Sequence, residues 1–313
     1  MIRAARAAAY LAILLAAGPA DGRRRADPPT GSVVYIDDGA LWRAPLAEPD
    51  RAEKLLALEV APALIRGLTA AADGGAVLID LGDNAAWIDL AGGAAAAPLY
   101  LPCRAGRLSA DGGRVLCAGR AGAAVVLRLR PALGAAPLAG DEVAAAALAT
   151  PAGDAAVFAG DGALWRAALA HPAQREKVAP HAPLGDLSVA PDGRRAVGRY
   201  PDGEGEALYG FRLDGHGARR RLIVGAPIGW SADSAWLLVA SGEAACELRA
   251  VGGEYKCWDD YRPLALAADG GQVLLARDAE AGGLDVYLAA TSGVRPEKPH
   301  RLLESVLAAT LVP

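Results

Sequence analysis

The chain contains 313 residues, of which 53% are hydrophobic and 22% are charged. Aspartate and glutamate outnumber lysine and arginine by 36 to 32, which gives a formal net charge of −4. Proteins that bind nucleic acids usually carry clustered positive charge on one face. The acidic balance therefore argues against a nucleic-acid partner.

The first 20 residues have the three parts of a secretory signal. Arg3 and Arg6 precede an apolar stretch, residues 7–17, and the small-residue sequence Gly18-Pro19-Ala20 follows. This order is typical of signal peptides, and eleven apolar residues are too few to span a bilayer. We expect cleavage after Ala20, with cleavage two or three residues earlier as an alternative, so that residues 21–30 form a leader segment.

Three consecutive arginines, residues 23–25, follow the apolar stretch. Positive charge at this place opposes export, so an uncleaved anchor is an alternative to cleavage. Cleavage removes two arginines and no acidic residue, and the formal charge then becomes −6. We expect an exported protein that keeps no membrane span once the signal is removed.

A short phrase, best described as Ala-Asp-Gly-Gly, recurs through the rest of the chain. Its copies are separated by 38, 42, 39, 41 and 36 residues when they are marked at Asp73, Asp111, Gly153, Asp192, Asp233 and Asp269. This period is that of a propeller blade. Short apolar runs divided by an Asp-Gly turn predict hairpins. A third run often carries an aromatic residue and a fourth is more polar, so each repeat predicts a four-stranded blade.

The two ends of the chain predict how the ring closes. Ser305–Leu311 resembles an innermost strand, but no Asp-Gly turn follows it. Residues 33–58 supply the three strands that would come next. Joining the two ends gives a composite blade and leaves no long unpaired edge. With six internal repeats the sequence predicts an all-β, seven-bladed propeller, with residues 31–313 as a single domain.

The best preserved copy of the phrase is Leu187–Arg195, which reads Leu-Ser-Val-Ala-Pro-Asp-Gly-Arg-Arg. It resembles the TolB-like, or WD-like, β-propeller repeats of bacterial envelope proteins. The resemblance covers roughly residues 31–313, and the matching residues are turn and packing positions. It implies a periplasmic or secreted scaffold that binds a protein or another ligand of the cell envelope. We expect a monomer.

Four cysteines fit an exported protein. Cys246 and Cys257 bracket one predicted hairpin, and Cys103 and Cys117 flank the turn at Asp111 in the same manner. Two local disulfides are the natural pairing, although four cysteines allow three connectivities. The alternative is a metal site, but the chain has no Cys-x-x-Cys and no histidine near any of the four.

The sequence gives little support for catalysis. It contains no Gly-x-Ser-x-Gly motif. We predict that all four histidines lie in loops: His171, His181, His216 and His300. Three serines near the Asp-Gly turns are interpreted as structural, with the aspartates capping the turns: Ser109, Ser188 and Ser231.

We therefore expect no catalytic residue, no cofactor and no metal. Two alternatives remain open. One is calcium, for which Asp37-Asp38 and Asp259-Asp260 are the densest acidic pairs. The other is a propeller enzyme, such as a lactonase-like hydrolase or a lyase, with its site at the channel mouth.

Three arginines are candidate binding residues. Arg66, Arg104 and Arg262 each lie seven residues before the marker of their repeat, on the connection to the innermost strand. Equivalent positions in a propeller are related by rotation, so we expect three guanidinium groups on one face near the channel mouth. Such groups can hold a carboxylate or phosphate. The alternative is solvated arginines paired with acidic neighbours, for which the candidates are Glu142, Asp186 and Glu304.

Overall fold

A computed structural model describes residues 31–91, 95–118, 124–130, 133–138, 145–149, 153–203, 205–214, 219–249, 255–280, 282–291 and 298–312. Within these ranges the chain forms seven four-stranded antiparallel sheets. The predicted signal peptide and leader, residues 1–30, lie outside the described residues. In the part of the chain that is described, no helix has the length and apolar character needed to cross a membrane.

Each sheet is one blade, numbered here from the first complete repeat. Blade 1 contains β4 (Gly67–Ala70), β5 (Ala76–Asp80), β6 (Ala85–Asp89) and β7 (Leu99–Leu101). Blade 2 contains β8 (Arg104–Leu108), β9 (Arg114–Ala118), β10 (Ala124–Arg128) and β11 (Gly134–Pro137). Blade 3 contains β12 (Ala145–Leu148), β13 (Ala155–Gly160), β14 (Ala163–Ala168) and β15 (Arg175–Ala179).

The remaining complete blades follow the same order. Blade 4 contains β16 (Gly185–Val189), β17 (Arg195–Asp202), β18 (Gly205–Arg212) and β19 (Arg220–Arg221). Blade 5 contains β20 (Ala226–Trp230), β21 (Trp236–Ser241), β22 (Ala244–Arg249) and β23 (Tyr255–Trp258). Blade 6 contains β24 (Arg262–Leu266), β25 (Gln272–Asp278), β26 (Leu284–Ala290) and β27 (His300–Val306).

Blade 7 is the predicted composite of both chain ends. It contains β28 (Ala308–Val312), β1 (Ser32–Asp37), β2 (Ala40–Pro45) and β3 (Glu53–Ala57). The innermost strand β28 pairs with β1 from Ser32↔Val312 to Ile36↔Ala308. The closure of the ring and the number of blades are confirmed, because the seventh sheet forms only when both ends pair.

The predicted start of the composite inner strand is three residues too early. Ser305 and Val306 belong to β27, the outermost strand of blade 6, where Val306 pairs with Leu284. Ser305 has a positive φ of 53°. The apolar run at the C-terminus therefore serves two blades, and only the residues from Ala308 onward line the channel.

The recurring Asp-Gly phrase is a contact between blades as well as a turn. The Oδ1 atom of Asp73 accepts a hydrogen bond from the backbone N–H of Gly75 at 2.8 Å, as predicted for a capping aspartate. Gly193 has a φ of 65°, and a Cβ at this position would lie 2.6 Å from the carbonyl oxygen of Ala149 in blade 3. Glycine is required there both for its backbone conformation and for the close approach.

The core is divided into wedges between neighbouring blades. Among the described residues there are seven clusters of buried apolar side chains, and each joins two adjacent blades around the ring. The cluster between blades 7 and 1, for example, contains Ile36 of β1 and Ile79 of β5. Successive residues of a strand point to opposite faces, so each blade contributes to two wedges.

Both predicted disulfides are present. Cys103, just before β8, is joined to Cys117 of β9. Cys246 of β22 is joined to Cys257 of β23, and these two residues lie directly opposite each other in the sheet. Each bond therefore lies within one blade, at sequence separations of 14 and 11 residues.

Candidate functional site: the central channel

The innermost strands of the seven blades line a central channel. These strands are β4, β8, β12, β16, β20, β24 and β28. They begin at one mouth of the channel, called here the upper mouth, and they end at the other, the lower mouth. In six of the seven blades an innermost strand leads into the recurring turn at the lower mouth. The two mouths are therefore built from different segments of every repeat.

The three candidate arginines are exposed at the upper mouth. Arg104 and Arg262 are the first residues of β8 and β24, and Arg66 directly precedes β4. They belong to blades 2, 6 and 1, so together with blade 7 they span four successive blades. Whether these arginines bind a ligand stays a prediction.

The rotational equivalence of the three arginines holds for two of them. Arg104 and Arg262 pair with the seventh residue after their markers. In blade 1 the seventh residue after the marker is Asp80, and its partner on the innermost strand is Gly67. Gly67 is therefore the residue equivalent to Arg104 and Arg262, and Arg66 comes one residue before it in the chain. The reason is a β-bulge of one extra residue, which β8 and β24 contain and β4 does not. A shift of one residue reverses the direction of a side chain.

Two of these arginines contact their own blades. The Arg262 guanidinium forms an ion pair with Asp278 at the end of β25. The Arg66 guanidinium lies against the turn between β5 and β6, since a Cβ on Gly82 would lie 3.0 Å from its Cζ atom. Of the partners that the sequence suggested, Asp186 and Glu304 pair with other arginines, and Glu142 lies outside the described residues.

Three exposed apolar side chains accompany the arginines at the upper mouth. Leu64, Leu184 and Val224 are 54%, 50% and 56% exposed. Each lies on a connection to an innermost strand, in blades 1, 4 and 5. The upper face is defined here by these three residues and the three arginines. The sequence analysis missed the apolar members, although an apolar residue shortly before an innermost strand is a visible signal.

The lower mouth contains a cavity of about 400 Å³. The inner strands of blades 5, 6, 7 and 1 form most of its wall, and the wall is largely apolar. Its larger side chains and its hydroxyl groups come from Ile228, Trp230, Leu264, Leu311, Thr69 and Thr310. This size lies within the usual range of small-molecule sites.

The opposite arc of the channel carries charge. Arg107 of β8 is exposed to the channel, and burial within the ring lowers the pKa of its guanidinium, an effect that Asp186 opposes. Asp186 lies at the bulge of β16 with a φ of 52°. Its carboxylate is 3.2 Å from Nε of Arg199. Sequence reasoning missed Arg107, because no other repeat has an arginine four residues before its marker.

The predicted structural serines have two different roles. Ser109 and Ser231 each donate a hydrogen bond to the turn aspartate two residues later, at 2.6 Å. Ser188 lies within β16 rather than at a turn, and it accepts a hydrogen bond from Nε1 of Trp230 at 3.1 Å. Ser188 precedes its turn as predicted, but it does not occupy the position of the repeat that Ser109 and Ser231 share.

The histidine prediction is partly wrong. His300 begins β27 instead of lying in a loop, and burial lowers the pKa of its imidazole. His216 lies outside the described residues. Among the residues that the structure describes, no group of three or more His, Cys, Asp or Glu is placed to hold a metal ion.

Solved structures resemble this ring at low sequence identity. Apo AztD from Citrobacter koseri has a TM-score of 0.58 and 10% identity, covering 90% of this chain and 97% of that one. Dihydro-heme d1 dehydrogenase NirN in complex with DHE has a TM-score of 0.51 and 20% identity, covering 94% and 78%. TolB from Acinetobacter baumannii has a TM-score of 0.48 and 14% identity, covering 90% of this chain and 66% of TolB.

The described residues form a seven-bladed β-propeller. No protein-family model matches the sequence. No curated protein matches it either. Likeness at these identities shows the fold alone, and propellers carry many unrelated functions, so function has to be argued from the channel and its two mouths.

Proposed function

We propose that this protein is an exported, periplasmic β-propeller that binds a protein or another ligand of the cell envelope without catalysing a reaction. The observation that carries the proposal is the upper face. It combines exposed Leu64, Leu184 and Val224 with exposed arginines around one mouth. Protein interfaces combine an apolar centre with a polar rim and are enriched in arginine.

Export is supported by the covalent structure. The described residues contain two disulfides and no free cysteine. Disulfides persist in oxidising compartments such as the bacterial periplasm and are rare in the cytosol. The signal-like residues 1–20 agree with that location.

The ring also suits binding because its backbone is fixed before a partner arrives. The upper face consists of short connections between strands, and each connection ends in a paired innermost strand. A surface held in this way loses little conformational entropy on association. This property favours a scaffold that presents one face.

A photo-crosslinking side chain placed at residue 184 tests the proposal in cells that make the protein naturally. We expect the same partner to be captured from residue 184 and from residue 224, after purification of the envelope. Leu133 is the matched control, since it is an equally exposed leucine, at 65%, located before β11 and outside the upper face. Capture of that partner from all three positions would contradict binding at the upper face.

The triple variant R66A/R104A/R262A then tests the arginines with the captured partner. Loss of one desolvated, hydrogen-bonded arginine at an interface costs roughly 2 kcal/mol of binding free energy. The melting temperature should scarcely move, because exposed charges contribute little to folding. Unchanged binding would remove the arginines from the site, and a large loss of stability would show that they are structural.

A further inference from the structure

The cavity at the lower mouth and Arg107 lie at the same height along the channel. Residues of different blades lie at the same height when they pair with the same position after the marker residue of the Asp-Gly turn. For the fifth position after the marker, these partners on the innermost strands of blades 1, 5 and 6 are Thr69, Gly229 and Ala265. All three line the cavity. In blade 2 the same pairing position holds Arg107. Blade 2 adjoins blade 1, so Arg107 lies at the height of the cavity, on the arc of the channel next to the cavity wall.

The side chain of Arg107 points away from blade 1. Leu108, the next residue, packs against the cluster between blades 1 and 2, so Arg107 lies on the other face of β8. On that side blade 3 has the small innermost strand Ala-Ala-Ala-Leu. Asp186 of blade 4, beyond it, is close enough to raise the pKa of the guanidinium. The small alanines leave space for a long cationic side chain inside the channel.

The positive charge of Arg107 is not neutralised by a direct partner. No hydrogen bond or ion pair to its guanidinium is found in the described part of the chain, and Asp186 is already paired with Arg199. A guanidinium that lies in the channel without a counter-ion is only partly hydrated, so it gains more from an added anion than a paired guanidinium does. An oxyanion would supply charge-assisted hydrogen bonds.

We propose that the channel binds a small amphipathic anion, with its apolar body in the cavity and its carboxylate, sulfonate or phosphate group on Arg107. The apolar body contacts Ile228, Leu264 and Trp230, and the hydroxyl of Thr69 lies at the level of the anionic group. This site is separate from the upper face and does not depend on the proposed function.

Two dyes that differ by one charge test the proposal. The anionic probe is 8-anilinonaphthalene-1-sulfonate, and the neutral probe is N-phenyl-1-naphthylamine, which lacks the sulfonate. We expect both to bind the folded protein at one site. Arg107→Gln should weaken binding of the anionic probe by about tenfold or more, the loss typical of a hydrogen bond to a charged group. Binding of the neutral probe should change less than twofold.

Matched variants separate the two halves of the site. Ile228→Trp fills the cavity from a residue that is 39% exposed and should abolish binding of both probes. Leu133→Trp, outside the channel, should change neither. Arg301→Gln, on the outermost strand of blade 6, should leave the anionic probe bound. Arg107→Lys keeps the charge but loses the planar guanidinium, so it should bind the anionic probe more weakly than the parent and more tightly than Arg107→Gln does.

The unmodified protein provides an independent measurement if Arg107→Gln does not fold. Decanoate should displace the anionic probe at a concentration at least tenfold below that of decanol, which has no charge. Equal displacement by the two compounds would overturn the proposal. It would also be overturned if Arg107→Gln weakened both probes equally, or if Ile228→Trp left both bound.

Discussion

Two wedges of the ring contain ionisable side chains in different environments, one paired and partly buried, the other unpaired and fully buried. Between blades 1 and 2, Arg130 reaches Asp89 with two nitrogens, and its Nε atom is 3.0 Å from Oδ2. The Nη2 atom of Arg130 also donates to the carbonyl oxygen of Gly75 at 2.8 Å. The guanidinium lies 5.4 Å from the ring centre of Trp87. Every part of this cation has a partner.

Between blades 5 and 6 the ionisable side chain is that of Glu247, and it has no hydrogen-bond partner among the described residues. Glu247 of β22 is 0% exposed, and neither carboxylate oxygen has a hydrogen-bond partner. It lies on the same face of β22 as Ala245, which packs against Val273 and Leu275 of blade 6. Lys256 is directly opposite in β23, but its ammonium group donates to the carbonyl oxygen of Thr291.

This difference shows that cross-strand pairing does not guarantee an ion pair. Burial raises the pKa of Glu247 to about 7, against an ordinary value of 4.5, and Lys256 only partly opposes the shift. The wedge between blades 1 and 2 is stabilised by its charges at neutral pH. The wedge between blades 5 and 6 is more stable with a neutral glutamic acid than with a carboxylate, so its stability depends on pH.

Both wedges belong to a ring that is closed by pairing of β28 with β1. Opening this ring should reduce the stability of the protein more than any other change considered below. Deleting the last nine residues removes β28 together with Ser305 and Val306 at the end of β27, and it leaves β1 unpaired at an edge. We expect the cooperative thermal transition to disappear. Deletion of the first 20 residues is the control and should leave the transition in place. A truncated protein that melts like the parent would show that the pairing of β28 with β1 is wrong.

Glu247→Gln should stabilise the protein at pH 8 by about 3 kcal/mol, because one pKa unit corresponds to roughly 1.4 kcal/mol. The folded state holds the proton of Glu247 more tightly than the unfolded state. The contribution of Glu247 to stability therefore falls as the pH rises from about 4.5 to 7 and is constant above that range.

Denaturant unfolding of both proteins at pH 4.5 and pH 8 measures this effect, with a difference expected mainly at pH 8. The exposed Glu243 in the turn before β22 provides the control Glu243→Gln, which should have little effect at either pH. An equal gain at both pH values would mean that folding does not raise the pKa of Glu247.

The two disulfides should contribute similarly, since their loops are of similar length. Cys103 and Cys117 belong to the wedge between blades 1 and 2, whereas Cys246 lies on the opposite face of the strand that carries Glu247. Replacing either pair by alanine should cost roughly 2 to 3 kcal/mol at most. Mass mapping of protein from an oxidising compartment should show the same pairs. Four free thiols there would contradict both the pairing and the proposed location.

The smallest expected loss of stability comes from removing the ion pair between Arg130 and Asp89 in the wedge between blades 1 and 2. Arg130→Gln should cost about 1 to 2 kcal/mol, because the side chain is partly buried and its partner Asp89 is left without a counter-charge. The control is Arg51→Gln, which breaks an exposed ion pair with Glu48 and should cost less than about 0.5 kcal/mol. Equal losses in the two variants would show that bidentate pairing between blades adds nothing.

Much of the fold could be predicted from the sequence, because its signals are local. The spacing of the Asp-Gly turns indicated the blades, and the incomplete repeats at the two ends indicated the composite blade. The cysteines could be paired because each pair flanks one hairpin. The C-terminal boundary was missed because the run from Ser305 is continuous in sequence, although it is divided between β27 and β28.

The candidate site was much harder to predict. Counting seven residues back from each marker predicted that Arg66, Arg104 and Arg262 are equivalent. The innermost strands of blades 2 and 6 contain a β-bulge within these seven residues, and that of blade 1 does not. Bulges depend on pairing between strands, which spacing along one strand does not reveal. The same limit hid Arg107, whose position beside the cavity depends on the register of several blades.

The sequence by itself determined the repeating unit, the number of blades, the closure and the disulfides, because turns, strand periodicity and short loops are set by neighbours along the chain. Only the tertiary structure decided what each wedge and each mouth contains. Glu247 looks like an ordinary polar residue of an exposed hairpin, yet it is buried because blade 6 covers that face of β22. Burial, charge pairing and the channel lining arise between blades, where residues far apart in sequence meet.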